Sequence, residues 1–402
     1  MTFRGLKKLL LHPKIFIRDY RNKGKGKGKK KVPSINISQI NFLTPFTHVL
    51  HTGEGEHAVS HLDLWIPYFI EAQIDFFVLT RNMTAFNKAS EKYPLIDVVY
   101  LKGEKEIESA FKKLIFLKAC FYPSNTGNNL HLLKFNHLKH VFLGHGDSDK
   151  TASAHKYFRV YDENWVASDA HIDRFKNEGF DFSGLKSVKV GRPNLLKILE
   201  ESTDLWRERF ASKINLLYLS TWEGVYTEQN YTSVYMVNEI VEILKDIENL
   251  KLSVKLHPRV GSRDYSLLDT NSKLKNFSQA NGIDCTVYER DKPVDELIIE
   301  SNIFICDISA VVSECLAGNA PIFVYIPKDK EIKLSQSNMK FEEYTYTFSS
   351  VEELSEKLIE VLTGNDYLQN NRERAMEYIL GKDATLNQRF IDELIAIEKE
   401  EI

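Results

Sequence analysis

The sequence predicts an α/β protein of two Rossmann-like units in series, facing each other across a cleft, with a basic arm before them and helices after them. Three observations predict it. From residue 37 onward, short apolar runs rich in β-branched and aromatic residues alternate with stretches of helical periodicity, the pattern of a parallel, doubly wound sheet. A charged helical stretch, 196–210, interrupts the alternation, which then resumes. At 402 residues the chain is also longer than one ordinary domain. The expected divisions are an arm at 1–34, a first unit at 35–210, a second at 211–366 and closing helices at 367–402.

The arm comes first. Twelve of the 53 Lys and Arg residues but only one of the 56 Asp and Glu lie in residues 1–32, a net of about +11, so the remainder is acidic by about −14. Residues 2–20 set Phe3, Leu6, Leu9, Leu10, Ile15, Phe16, Ile17 and Tyr20 among Arg4, Lys7, Lys8, Lys14 and Arg18. Pro13 divides this piece into two short helical segments. A lysine–glycine run, 23–31, follows. A basic amphipathic helix beside a polybasic run reads as attachment to an anionic membrane surface. Helices packed on the body with a solvated linker are a second reading. Nucleic acid is a third, which no RNA- or DNA-binding motif supports.

In the first unit, strands are predicted at 47–51, 75–80, 97–101, 117–122, 139–143, 164–167 and 187–190, with helices at 58–71, 84–92, 104–114 and 170–178. In the second, strands are predicted at 214–219, 252–256, 286–288, 302–306 and 321–325, with helices at 231–246 and 293–299. Helices at 351–362, 367–379 and 385–399 finish the chain. No stretch approaches 18 consecutive apolar residues, and no secretory signal pattern opens the sequence. Cys120, Cys285, Cys306 and Cys315 form no CxxC pair and read as reduced thiols.

The carboxyl ends of the strands carry the chemistry. In an open α/β sheet that edge, with the helix N-termini behind it, is where ligands bind. Strand 139–143 runs into Gly144, His145 and Gly146, then Asp147, Ser148, Asp149 and Lys150, where a helix is expected to begin. The glycines let a ligand approach the backbone, and the histidine can exchange a proton near neutral pH. In the second unit, Ser220 and Thr221 follow one strand, His257 and Arg259 flank Pro258 after the next, and Asp307, Ser309 and Ser313 line a strand-to-helix turn with Glu314 just inside the helix. Hydroxyls, backbone N–H groups and cations so placed can hold pyrophosphate. Singly, Ser309 and Asp307 read equally well as helix caps and His257 as a structural residue. Their common position in two facing units favours a site. Asp147 and Asp149 also form an Asp-x-Asp pair, but no further ligands stand at metal spacing, so no metal is expected.

Taken in order, Gly144-His145-Gly146 with Lys150, Gly191-Arg192-Pro193, Ser220-Thr221-Trp222, His257-Pro258-Arg259 and Asp307-Ile308-Ser309 resemble the motifs of the CDP-glycerol glycerophosphotransferase family, the teichoic-acid primases and polymerases and related capsule polymerases. Residues 381–390 look like that family's closing helix, and the resemblance spans roughly 115–395. It implies a GT-B fold, peripheral association with the cytoplasmic side of a bacterial membrane, and transfer of a polyol phosphate from a CDP-activated donor to a lipid-linked or polymer acceptor, with release of CMP. It implies His145 as the base and a polar cleft around it formed by Gly144, Gly146, Asp147, Asp149, Lys150, Arg192 and Asn125. His257 and Arg259 would stabilise departing charge, Ser220, Thr221, Asp307, Ser309 and Ser313 would hold phosphate, and Glu314 would take the ribose. No cofactor is required; a divalent cation such as Mg is compatible but nothing indicates one. Asp147-Ser148-Asp149 replaces a Thr-Pro-Leu-like run of the family, and Ala310 stands where many members have a second serine. Together with Asn125-Thr126-Gly127-Asn128, the first of these is similar to a subgroup associated with surface polysaccharides. Two other functions fit the same cleft: a GT-B glycosyltransferase using a nucleotide sugar such as a CMP-sugar, and a non-catalytic membrane-bound scaffold.

Overall fold

Strand after strand here is apolar on both faces, as parallel strands covered by helices must be. The computed structural model describes residues 44–400 except 56, 203–205, 211–212, 290–291 and 383–385, so the basic arm lies outside the described residues. The first half contains β1 (His48–Thr52), α1 (Ala58–Asp63), α2 (Ile66–Glu71), β2 (Phe76–Thr80), α3 (Met83–Lys92), β3 (Val98–Tyr100), α4 (Glu104–Phe111), β4 (Ala119–Tyr122), α5 (Leu130–Leu133), β5 (Lys139–Phe142), β6 (Glu163–Val166), α6 (Asp169–Asn177), β7 (Ser187–Lys189) and α7 (Leu196–Glu201). The second contains β8 (Ile214–Leu219), α8 (Val237–Leu244), β9 (Leu250–Lys255), α9 (Thr270–Ala280), β10 (Cys285–Tyr288), α10 (Val294–Ile299), β11 (Ile303–Asp307), α11 (Ala310–Leu316), β12 (Ile322–Tyr325), α12 (Phe341–Tyr344), β13 (Tyr346–Phe348), α13 (Val351–Leu362), α14 (Gln369–Ala375) and α15 (Leu386–Lys399).

The strands form two all-parallel sheets, ordered β3-β2-β1-β4-β5-β6-β7 and β10-β9-β8-β11-β12-β13. Each order reverses once, between β1 and β4 and between β8 and β11. Such a switch point opens a crevice beyond the strand ends, because the loops on its two sides diverge. The last helix leaves the second half and returns to the first. Phe390 of α15 stacks on Trp65 at 5.0 Å and meets the edge of Trp165 at 5.3 Å, and Leu394 and Ile397 are buried in the same cluster. That return ties the halves together by burying apolar surface of one on the other.

Expectation and structure differ at several elements. The helix predicted at 58–71 is two helices, since Trp65 and Pro67 break it. Among the described residues of the charged stretch, 196–201 alone are α-helical. No α-helix begins at Lys150; 3-10 turns at Thr151–Ser153 and Lys156–Val160 occupy that loop instead.

Candidate active site

The first wall is built at the end of β5. The N–H groups of Leu143 and Gly144 both reach the Tyr122 carbonyl, at 2.9 and 3.3 Å. Gly144 then takes φ +72°, a left-handed conformation that glycine enters freely, and its carbonyl accepts from Trp65 Nε1 at 2.8 Å. The chain turns sharply there and presents His145. Its Nδ1 lies 3.0 Å from the Pro123 carbonyl. A carbonyl only accepts, so Nδ1 carries the hydrogen and Nε2 keeps the lone pair. Nε2 has no hydrogen-bond partner among the described residues. The imidazole is exposed to solvent by area while protein atoms crowd around it, the situation of a cleft floor. Burial and then the neighbouring His61 push its pKa down to about 4, against the Pro123 carbonyl and Glu54.

His61, from α1, lies flat on His145 with ring centroids 3.8 Å apart and planes 11° apart. Its Nδ1 is 2.5 Å from Glu54 Oε2, on the loop after β1. Neither was foreseen. The only trace in the sequence was a glutamate following the first strand, with a histidine one helix later. Burial raises the pKa of Glu54, but the His61 hydrogen bond and the nearby ring charges outweigh that and hold it below the ordinary value.

Asp147 and Asp149 are placed differently from the expectation. Both are buried, at 2 % and 3 % exposure, and both bind Arg174 of α6, Asp149 at 2.6 Å. Two carboxylates leaving water need a compensating cation, and Arg174 supplies it. They are therefore committed to holding the loop. Asn125 is also engaged, its Oδ1 accepting from Tyr161 at 2.7 Å. Lys150 crosses to the other half. Its Nζ donates to Thr221 Oγ1 at 2.7 Å, and its backbone bridges Leu334; burial lowers its pKa to about 8 despite Asp307.

In the second half Asp307 is fully buried at the end of β11, where it organises the surrounding loops rather than meeting a ligand. Oδ1 accepts from the N–H and hydroxyl of Ser233 at 3.0 and 2.5 Å, and Oδ2 from Thr221 N at 2.7 Å and Thr232 Oγ1 at 3.2 Å. Burial raises its pKa to about 6 against those four donors. Ser220 Oγ accepts from His257 N at 3.2 Å, so that hydroxyl fixes the neighbouring loop. Ser313 Oγ reaches the carbonyls of Asp147 at 2.9 Å and Ala310 at 2.8 Å, a bond between the halves rather than a free phosphate donor. Ser309 is the N-cap residue of α11 in position, half-buried, its Oγ on the Asp307 carbonyl at 3.2 Å.

His257 is half-buried, and its Nδ1 accepts from Arg259 N at 3.1 Å, which puts the proton of the neutral ring on Nε2. The exposed Arg259 guanidinium lies 3.6 Å from the Trp222 ring centroid, and Trp222 stacks towards His257 at 6.4 Å. Glu223, also not foreseen, holds this loop: Oε1 accepts from Gly261 N at 2.9 Å, Arg263 N at 3.3 Å and Asp264 N at 3.0 Å.

The halves also meet beside His145. A Cβ on Gly146 would lie 2.7 Å from the Ala310 Cβ, so this glycine admits the opposite helix. Buried Arg192 stands near both Asp147 and Glu314. Burial raises Glu314 to about 7, with Arg192 opposing and Asp295 adding. Residues from the ends of β5, β7, β8 and β11 thus touch across the halves, and the loop after β9 is tied to this group through Ser220.

No protein-family model and no curated protein matches the chain. Solved structures do resemble it. The wall teichoic acid polymerase TagF superposes with TM-score 0.55 at 14% identity, over 98% of this chain and 96% of that one. A putative UDP-N-acetylglucosamine 2-epimerase from Listeria monocytogenes gives 0.57 at 12%, over 89% and 98%. Anabaena HepE in complex with UDP and glucose gives 0.52 at 12%, over 87% and 100%. The chain has the GT-B fold shared by these proteins, with two Rossmann-like halves and a crevice between them.

Proposed function

We propose that the protein is a transferase that moves a polyol phosphate, of the glycerol or ribitol kind, from a CDP-activated donor to an acceptor hydroxyl in the assembly of a bacterial surface polymer. The observation that carries this reading is His145: a neutral imidazole with Nδ1 tied to a carbonyl and an unprotonated, unpartnered Nε2 at the crevice. The likeness to TagF, including a structure soaked with CDPG, supports the choice of donor. In the step, the acceptor hydroxyl gives its proton to Nε2 while its oxygen bonds to the β-phosphorus. The bond from that phosphorus to the bridging oxygen breaks, and CMP leaves with the oxygen. His257, with its proton on Nε2, and Arg259 answer the charge that gathers on the leaving phosphate. No cofactor is needed, and a divalent cation is compatible with the scheme.

The resemblance to a complex with UDP and glucose and to an epimerase gives a second reading weight, transfer of a sugar from a nucleotide donor. Incubation with CDP-glycerol, CDP-ribitol and CMP- or UDP-sugars separates the two. CMP release with a phosphodiester product supports the first; a glycosidic bond in the product refutes it.

The arm fits the same reading as a peripheral anchor on the cytoplasmic face of the membrane, near a lipid-linked or polymer acceptor. No helix among the described residues is long and apolar enough to span a membrane. Deleting residues 1–32 is expected to abolish co-sedimentation with anionic vesicles and to leave turnover of a short soluble acceptor unchanged, because no site residue lies there. A truncated protein that still sediments would refute the anchor.

A further inference from the structure

We propose that Glu54 and His61 form a positioning pair for His145: the carboxylate fixes the His61 ring, and that ring, stacked on His145, holds the imidazole with Nδ1 on the Pro123 carbonyl and Nε2 open. The inference rests on the reading of His145 as the base.

Three contacts define the arrangement. Glu54 Oε2 sits 2.5 Å from His61 Nδ1, so His61 carries its hydrogen there and cannot turn about its ring axis without losing the bond. The two imidazoles are nearly parallel, 3.8 Å apart, so one whole face of His145 is covered. Pro123 pins the remaining torsion from the side, at 3.0 Å. The three elements involved are the loop after β1, helix α1 and the loop after β4. Two of these flank the switch point of the first sheet, where the strand order reverses. Without His61, the one hydrogen bond left to His145 among the described residues would be that to Pro123, and a base that swings by an ångström loses much of its rate.

The same contacts set the electrostatics. The titratable and charged groups facing His145 are His61, Glu54 and, from the loop after β7, Arg192. Covering one face removes water from the ring and disfavours its charged form, while Glu54 acts in the opposite direction.

His61→Ala, His61→Phe, Glu54→Ala and the double variant Glu54→Ala/His61→Ala test the pair on the full-length protein. Two measurements are used: CMP release from CDP-glycerol, and the titration of His145 by NMR of histidine labelled at Cε1, which needs no substrate. In His61→Ala the kcat for CMP release is expected to fall about tenfold or more with KM within about twofold, and the His145 midpoint to rise towards the free-histidine value. His61→Phe keeps a stacked ring and is expected to recover most of both. Glu54→Ala acts through His61, so the double variant is expected to be no worse than His61→Ala alone. Overturning results are an unchanged His145 midpoint and kcat in His61→Ala, a His61→Phe as impaired as the alanine variant, or losses that multiply in the double variant. If His145→Ala itself releases CMP at the normal rate, the base reading fails, and the NMR midpoints still decide whether the stack controls His145.

Discussion

The two histidines of the crevice hold their protons on opposite nitrogens. His145 leans on a carbonyl and leaves Nε2 as an acceptor, whereas His257 takes an amide hydrogen on Nδ1 and keeps Nε2–H. One can remove a proton and the other can donate to a leaving group, a division that neither residue type dictates and only the partner atoms decide. His145→Ala is therefore expected to lower transfer by about two orders of magnitude or more without changing the thermal midpoint; near-normal turnover would dismiss it as the base. Arg174 makes the contrasting case. With two buried carboxylates on it, Arg174→Met should cost about 3–5 kcal/mol, because Asp149 would lose its cation and Asp147 would keep only the neighbouring Arg192. Urea unfolding checks this, and a loss under about 1 kcal/mol would mean the carboxylates find water. The sequence placed Asp147 and Asp149 in the crevice because they follow a glycine-flanked histidine. What it could not show was an arginine on α6 that claims both, since that pairing depends on how the loop folds back.

At the scale of elements, most strands and their carboxyl ends were legible because parallel strands are near-continuous apolar runs. Helix α13, predicted at 351–362, begins and ends there. Strand β13 and helix α9 escaped: three residues, Tyr346 to Phe348, make no periodicity, and the polar surface of α9 dilutes its own. The helix expected after Lys150 failed for a physical reason. Asp149 O accepts from Ser335 N at 2.7 Å and the Lys150 backbone pairs with Leu334, so the opposite half captures the groups a first helical turn would have used. Gly146 lies in that capture zone. A methyl there would overlap Ala310 at the start of α11, and overpacking of this kind costs about 1–3 kcal/mol. Gly146→Ala should lower both stability and turnover, and Gly146→Ala/Ala310→Gly should restore them, since the second change removes the atom in the way. Failure of the double variant to recover would place the damage elsewhere.

For the whole molecule, the two sheets bury ionisable groups whose protons differ between the folded and unfolded chain. His48 and His171 are pushed down to about 4 and His51 to about 3, burial being the largest cause in each. Lys118 adds to the effect at His48 and Arg81 at His51, while Asp147 resists it at His171. Between their folded values and an unfolded value of about 6.5 the unfolded chain binds protons that the folded one refuses, so stability falls as pH falls through this window. Asp307, raised to about 6, and Glu314, raised to about 7, act the other way: there the folded state binds the extra proton, and acid favours it. With His145, also lowered to about 4, four histidines against two acids leave roughly two protons in favour of the unfolded chain near pH 5, or about 2.7 kcal/mol lost per pH unit. Urea midpoints taken from pH 6.5 to 5 should therefore decline steadily. His51→Gln should flatten the decline by nearly one proton, because it removes a histidine with no accessible surface and keeps a group able to meet the Leu79 carbonyl, 3.2 Å from the present Nδ1. A midpoint that holds or rises on acidification would mean that the acids of the crevice, not the histidines of the first sheet, govern the fold.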